Sequence, residues 1–209
     1  MNRPYAIFDM DGTLVDSMCY WRNMEREFLT RKGVTDNLEE ILEATKPMTL
    51  AEFSAYFSKI CGVECTPEQL IAECEEIMAE HYRNDVQIKP GVREYLDALQ
   101  QKGVPLCVAS ATNKPLVELC LEKLGLRPYF RFILSCVEVG AGKSRPDVFL
   151  EAARRLGGEP ADCAVYEDAI YAVRSAHAAG FYVVAVKDEH NGASWDEMRE
   201  TADEILENW

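Results

Sequence analysis

The chain has 209 residues, 48% of them hydrophobic and 28% charged, a balance that suits one globular domain or a core carrying a small insert. Its formal net charge of −14 repels phosphate backbones, so a basic groove for nucleic acid is excluded and any phosphate site has to be local. No run approaches the roughly 18 apolar residues of a membrane span, so a membrane is not an expected partner either.

Met1-Asn2-Arg3-Pro4 enters the first apolar run at once and leaves no room for a secretory signal. A cytoplasmic location is therefore expected, with the eight scattered cysteines as reduced thiols. Tyr5-Ala6-Ile7-Phe8 is too short for a helix and reads as a buried strand of a parallel sheet. Asp9-Met10-Asp11-Gly12-Thr13 follows it, and Asp16-Ser17 comes soon after. Two carboxylates one residue apart at a strand's carboxyl end sit where open α/β sheets bind ligands, and Gly12 lets the backbone approach one closely. Apolar positions at helical spacing then mark helices over 18–33, 37–45, 49–60 and 67–84. The last is opened by Thr66-Pro67-Glu68-Gln69, a cap with proline at the first helical position.

Beyond Ile88-Lys89-Pro90-Gly91 the texture alternates. Helices are expected at 91–102, 114–124, 146–156, 168–179 and 194–207, and strands at 104–109, 132–136, 163–166 and 181–186. The fold class is α/β: a doubly wound, Rossmann-like parallel sheet over residues 1–16 and 89–209, with a small all-helical cap over 17–88.

In such a sheet every strand's carboxyl end meets one crevice. Strand one brings Asp9 and Asp11, the strand at 104–109 brings Ser110 followed by Thr112 and Asn113, a loop brings Lys143, and the strand at 163–166 brings Glu167 and Asp168. These types suit phosphate monoester hydrolysis. A carboxylate nucleophile splits the reaction into two steps through an aspartyl-phosphate, and an ammonium and a hydroxyl offset the phosphoryl charge. A second carboxylate serves as acid and then base. Mg2+ prefers oxygen ligands, which Asp9, Asp168 and the main-chain carbonyl of Asp11 could supply.

Asp9-x-Asp11-Gly12-Thr13, Ser110, Gly142-Lys143-Ser144-Arg145-Pro146-Asp147-Val148-Phe149 and Glu167-Asp168 together resemble the four motifs of the haloacid dehalogenase-like hydrolases. Ser144 stands where that pattern has proline. The resemblance implies Asp9 as nucleophile, Asp11 as general acid/base, Ser110 and Lys143 as further catalytic residues, and Mg2+ held by Asp9, Asp11, Glu167 and Asp168. It places Gly12, Thr13, Ala111 and Asn113 among the substrate-binding positions. In motif two Thr112 is the alternative hydroxyl, and the distance to Leu121-Glu122-Lys123-Leu124-Gly125 favours Ser110.

Asp11 argues against dehalogenation, because halide departs without a proton. The resemblance favours a phosphatase acting on a small phosphorylated metabolite, of the sugar or polyol phosphate type. The alternatives are a β-phosphoglucomutase-like mutase and a non-catalytic phosphate-binding module. The mutases carry a His at the position of Trp21 and a cap loop that Thr45-Lys46-Pro47-Met48-Thr49-Leu50 does not match. Trp21 and Lys46 are expected to face the substrate, His190-Asn191 is given no role, and a monomer or weak homodimer is expected.

Overall fold

The computed structural model describes residues 3–45, 48, 50–61 and 65–209. The chain divides into two compact units, Met1–Met18 with Val86–Trp209, and Cys19–Asp85. β1 (Tyr5–Phe8) and β2 (Val15–Asp16) open the first unit. Four helices follow: α1 (Met18–Arg31), α2 (Leu38–Thr45), α3 (Leu50–Cys61) and α4 (Pro67–Asn84). The chain returns through β3 (Gln87–Ile88) to α5 (Val92–Gln101), β4 (Leu106–Ser110), α6 (Lys114–Lys123) and β5 (Phe130–Ser135). It ends with α7 (Cys136–Val139), α8 (Asp147–Leu156), β6 (Cys163–Glu167), α9 (Ile170–Ala178), β7 (Tyr182–Val186), α10 (Trp195–Thr201) and β8 (Glu204–Leu206).

Six strands form one parallel sheet in the order β5-β4-β1-β6-β7-β8. The order reverses about β1, whose Phe8 lies opposite Val108 of β4 and Tyr166 of β6. Asp9, Ser110 and Glu167 therefore emerge side by side at a topological switch point.

Strand residues alternate between two buried layers, as a sheet covered on both faces requires. Ile7, Cys107, Ala109, Leu134, Cys163, Val165 and Val183 pack with Phe149 of α8, Val173 of α9 and Met198 of α10. Elsewhere in the core Phe8 stacks on Tyr166, with ring centroids 4.2 Å apart. Tyr95 of α5 meets Tyr166 and Trp209 edge-on, and its hydroxyl lies 2.7 Å from that of Tyr166. Truncating a ring as buried as Phe8 to Ala costs about 3–5 kcal/mol.

Three features depart from the sequence expectation. β2 and β3 pair as a two-residue antiparallel ribbon, Val15 opposite Ile88 and Asp16 opposite Gln87, too short to leave an alternating pattern. The helix expected over 194–207 stops at Thr201. Ala202 is extended, Asp203 exchanges hydrogen bonds with Val183 through both its main-chain N–H (3.0 Å) and its carboxylate (2.8 Å), and the chain continues as edge strand β8. The strand expected over 132–136 runs instead from 130 to 135. There Ser135 caps α7, its hydroxyl oxygen accepting from the Val137 N–H at 3.3 Å while the Glu138 carboxylate accepts from the Ser135 N–H at 3.0 Å.

In the helical unit α4 starts as anticipated, with Thr66 and Gln69 forming a reciprocal capping box. Phe28, Leu29, Phe57, Leu70, Ile77, Met78 and Tyr82 are among the buried residues of this unit, and the Phe28 and Phe57 rings lie 4.8 Å apart. Among the described residues no helix is long and apolar enough to cross a membrane.

Candidate active site

Asp9 continues β1 by one residue, and its main-chain N–H donates to the Tyr166 carbonyl at 3.0 Å, so the neighbouring strand holds its backbone. Its side chain is buried. Lys143 reaches it from the loop between α7 and α8. The ammonium, also buried, donates to Asp9 Oδ1 and to Glu167 Oε1, the latter at 2.5 Å. Ser175 of α9 donates to the main-chain carbonyl of Lys143 at 2.5 Å and anchors that loop from below.

Glu167 ends β6 and Asp168 follows it. One carboxylate oxygen from each of Asp9, Glu167 and Asp168 lies within 4.8 Å of the others. Gly12 has φ 81°, and a Cβ there would stand 2.8 Å from Asp168 Cγ, so only glycine permits this approach. Thr13 Oγ1 donates to Asp168 Oδ1 at 3.4 Å.

Burial dominates the electrostatics. It raises the Asp9 carboxyl above its ordinary range, against the attraction of Lys143 and with the help of Asp11. It pushes Glu167 up to about 7, again opposed by Lys143 and reinforced by Asp9. Asp168 is raised well above its ordinary value, by burial and by the charges of Asp9 and Glu167. For Lys143 burial acts the other way, yet the two carboxylates hold its ammonium above the usual lysine value. Three clustered carboxylates against one ammonium leave an oxygen-only pocket with excess negative charge. That donor set fits a hard divalent cation.

Asp11 lies outside this trio. Its Oδ1 accepts from the Ser17 hydroxyl at 2.7 Å and its Oδ2 from the Thr112 hydroxyl at 2.8 Å. Ser110 is buried at the end of β4, where its oxygen accepts from the Thr112 N–H at 3.0 Å. Ser135 donates to the Thr112 carbonyl at 3.0 Å. Ala111 is exposed beside them, and Asn113 is half-buried just before α6. The structure thus joins Asp9, Lys143, Glu167, Asp168, Thr13 and Gly12 directly, and links Asp11 to Ser110 through Thr112.

Trp21 lies in the helical unit, where its indole N–H donates to the Tyr82 hydroxyl at 3.2 Å. Lys46 lies outside the described residues. Sequence reasoning did not assign Ser17, Thr112 or Ser175 the contacts they make. Ser17 follows directly on the first acidic motif, and Thr112 stands two residues past Ser110. The spacing of both was visible, though their pairing with Asp11 was not.

Residues 5–180 match a family model described as haloacid dehalogenase-like hydrolase. The chain is 30% identical over 189 residues to fructose-1-phosphate phosphatase YqaB of Escherichia coli K12, an alignment covering 90% of this chain and 99% of that protein. It is also 30% identical over 210 residues to a bifunctional riboflavin kinase/FMN phosphatase of Arabidopsis thaliana, covering 98% of this chain and 55% of the relative. The chain thus spans about half the length of that plant protein. Among solved structures, a conserved haloacid dehalogenase-like protein of Agrobacterium tumefaciens is similar, with a TM-score of 0.70 and 27% identity over 99% of this chain and 94% of the other.

Proposed function

The chain belongs to the haloacid dehalogenase-like hydrolase family, and from that premise we propose that it is a Mg2+-dependent phosphatase for a small phosphorylated metabolite of the sugar or polyol phosphate type. The observation that carries the proposal is the buried Lys143 ammonium shared by Asp9 and Glu167 beside Asp168. A lysine so placed opposes the burial that disfavours the ionised form of a carboxylate nucleophile. The fructose-1-phosphate phosphatase and FMN phosphatase names of the relatives support the substrate class.

In the proposed reaction a carboxylate oxygen of Asp9 bonds to phosphorus and the bond to the ester oxygen breaks. Asp11 gives its proton to the departing alkoxide, leaving an aspartyl-phosphate on Asp9. Asp11 then takes a proton from water, which attacks phosphorus, releases inorganic phosphate and restores Asp9. Lys143 and the Ser110 hydroxyl stabilise the phosphoryl oxygens as charge moves onto them. Gly12, Thr13, Ala111 and Asn113 line the approach of the phosphate, and Ser17 and Thr112 aim Asp11. Asp9, Glu167, Asp168 and the Asp11 carbonyl would hold Mg2+, which when bound screens the substrate's negative charge from the carboxylates. Trp21 and Lys46 are assigned to substrate selection.

The test is release of inorganic phosphate from a panel of sugar phosphates, polyol phosphates and FMN, with Mg2+ or with EDTA. Release from at least one member, dependent on Mg2+, is expected. No release from any member would favour a binding module.

A further inference from the structure

The loop after β7, to which the sequence assigned no role, is tied to the acidic pocket. Asn191 Nδ2 donates to the main-chain carbonyl of Asp168, and Asn191 Oδ1 accepts from the Asp188 N–H. α9 does not supply that carbonyl's partner: the first acceptor of the helix is the Ala169 carbonyl, which takes the N–H groups of Ala172 and Val173. The Asp188 carboxylate is itself buried. Its Oδ2 accepts from Lys89 Nζ at 2.6 Å, and its Oδ1 from the His190 N–H at 2.9 Å, with the His190 ring Nδ1 3.0 Å away. Lys89 also donates through Nζ to the Lys187 carbonyl at 3.2 Å and through its main-chain N–H to the Leu14 carbonyl at 3.1 Å.

Three stretches far apart in the chain are therefore joined in one network, Leu14 just past the first acidic motif, Lys89 just past β3, and 187–191, and Asn191 carries that network to the backbone of Asp168. A buried ion pair contributes little to stability by itself, because desolvation offsets its attraction. Placing a further carboxylate near Asp168 is also unfavourable for an acidic pocket. Both costs become intelligible if the pair fixes the loop so that one amide meets one carbonyl.

We propose that Asn191 is a positioning residue for Asp168, locked by the Lys89–Asp188 pair, and that this contact sets the affinity of the pocket for Mg2+. The proposal rests on Asp168 being a Mg2+ ligand. Partners that orient a metal-binding residue without touching the metal typically govern affinity by roughly 10–100-fold.

The full chain is titrated with MgCl2, and the rise in melting temperature gives the half-saturating concentration without any need for turnover. Asn191→Asp keeps an acceptor for the Asp188 N–H but removes the donor to Asp168, and is expected to raise that concentration at least about 10-fold. Asn191→Ala and Asp188→Asn should move it in the same direction. Should Asn191→Asp fail to fold, those two variants decide. A lower melting temperature in EDTA with an unchanged half-saturation would mean a purely structural role and overturn the proposal. So would unchanged half-saturation in these variants while Asp168→Asn raises it, which leaves the Mg2+ reading intact. Metal binding unaffected by Asp168→Asn would sink that underlying reading instead.

Discussion

The Thr112 hydroxyl donates to one carboxylate oxygen of Asp11 at 2.8 Å, while Ser17 donates to the other at 2.7 Å. Two hydroxyls from different segments thus fix the orientation of the proposed acid/base. General acid–base catalysis contributes roughly 10²–10⁴-fold, and it depends on aim. Thr112→Val is expected to lower kcat about 10-fold on an alkyl phosphate and much less on p-nitrophenyl phosphate, whose leaving group needs no proton. Steady-state assays with the two substrates check this; equal losses would assign Thr112 to phosphate binding or to the fold.

Lys143 is the cation between Asp9 and Glu167. Lys143→Met leaves two buried carboxylates uncompensated, at a cost of about 3–5 kcal/mol. Denaturant unfolding should show that loss at pH 8 and a smaller one at pH 5.5, where the carboxylates can protonate instead. Phosphate release should vanish at both. A variant as stable as the wild type at pH 8 would contradict the placement of Lys143.

The raised carboxyl groups make a pH prediction of definite sign. Glu167 has an ordinary value of 4.5 and is pushed up to about 7 in the fold, by burial first and by Asp9, against the pull of Lys143. A folded value above the unfolded one contributes stability that is complete below about 4.5 and lost as pH rises through about 7. In EDTA the melting temperature should therefore fall between pH 5 and pH 8. Mg2+ competes with the protons, so the Mg2+-induced rise in melting temperature should be larger at pH 8 than at pH 6. A rise independent of pH would contradict this.

The helical unit carries its own titrating group. His81 lies 2.7 Å from both Glu27 and Asp85, with Tyr20 stacked on its ring at 4.3 Å. Burial works against its charge, but the two carboxylates hold its value above the ordinary 6.5. The stability it contributes is complete below about 6.5 and lost as pH rises through the higher folded value. His81→Gln should lower the melting temperature by a few degrees at pH 6, for about 1–2 kcal/mol of charge-assisted hydrogen bonding, and less at pH 9. Equal shifts at the two pH values would show that only packing was lost.

The fold was largely legible because its core strands are short apolar runs and its helices end at glycines. Tyr5–Phe8 and the run at 163–166 read as buried strands because they are apolar and too short for a helix. β8 was hidden because Glu204–Leu206 is three residues long and follows directly on helical spacing; only its pairing with β7 makes it a strand. The acidic and basic residues of the site were visible as motif and chemistry. What Thr112, Ser17 and Asn191 orient was not, although the residues themselves stood in view, because a hydroxyl or amide that aims a neighbour leaves no pattern that names it. Their partners are set by tertiary contact, over 101 residues for Thr112 with Asp11 and 23 for Asn191 with Asp168.

The central claim is that Asp9 becomes covalently phosphorylated in a pocket shared with Lys143 and Asp168. Protein quenched in acid during turnover with Mg2+ and a hydrolysed member of the substrate panel, then digested and analysed by mass spectrometry, addresses it directly. The account predicts one added phosphoryl group on the peptide containing Asp9, absent in Asp9→Asn, which also releases no phosphate. Phosphate release by Asp9→Asn at the wild-type rate, or a phosphoryl group on a different residue, would contradict it.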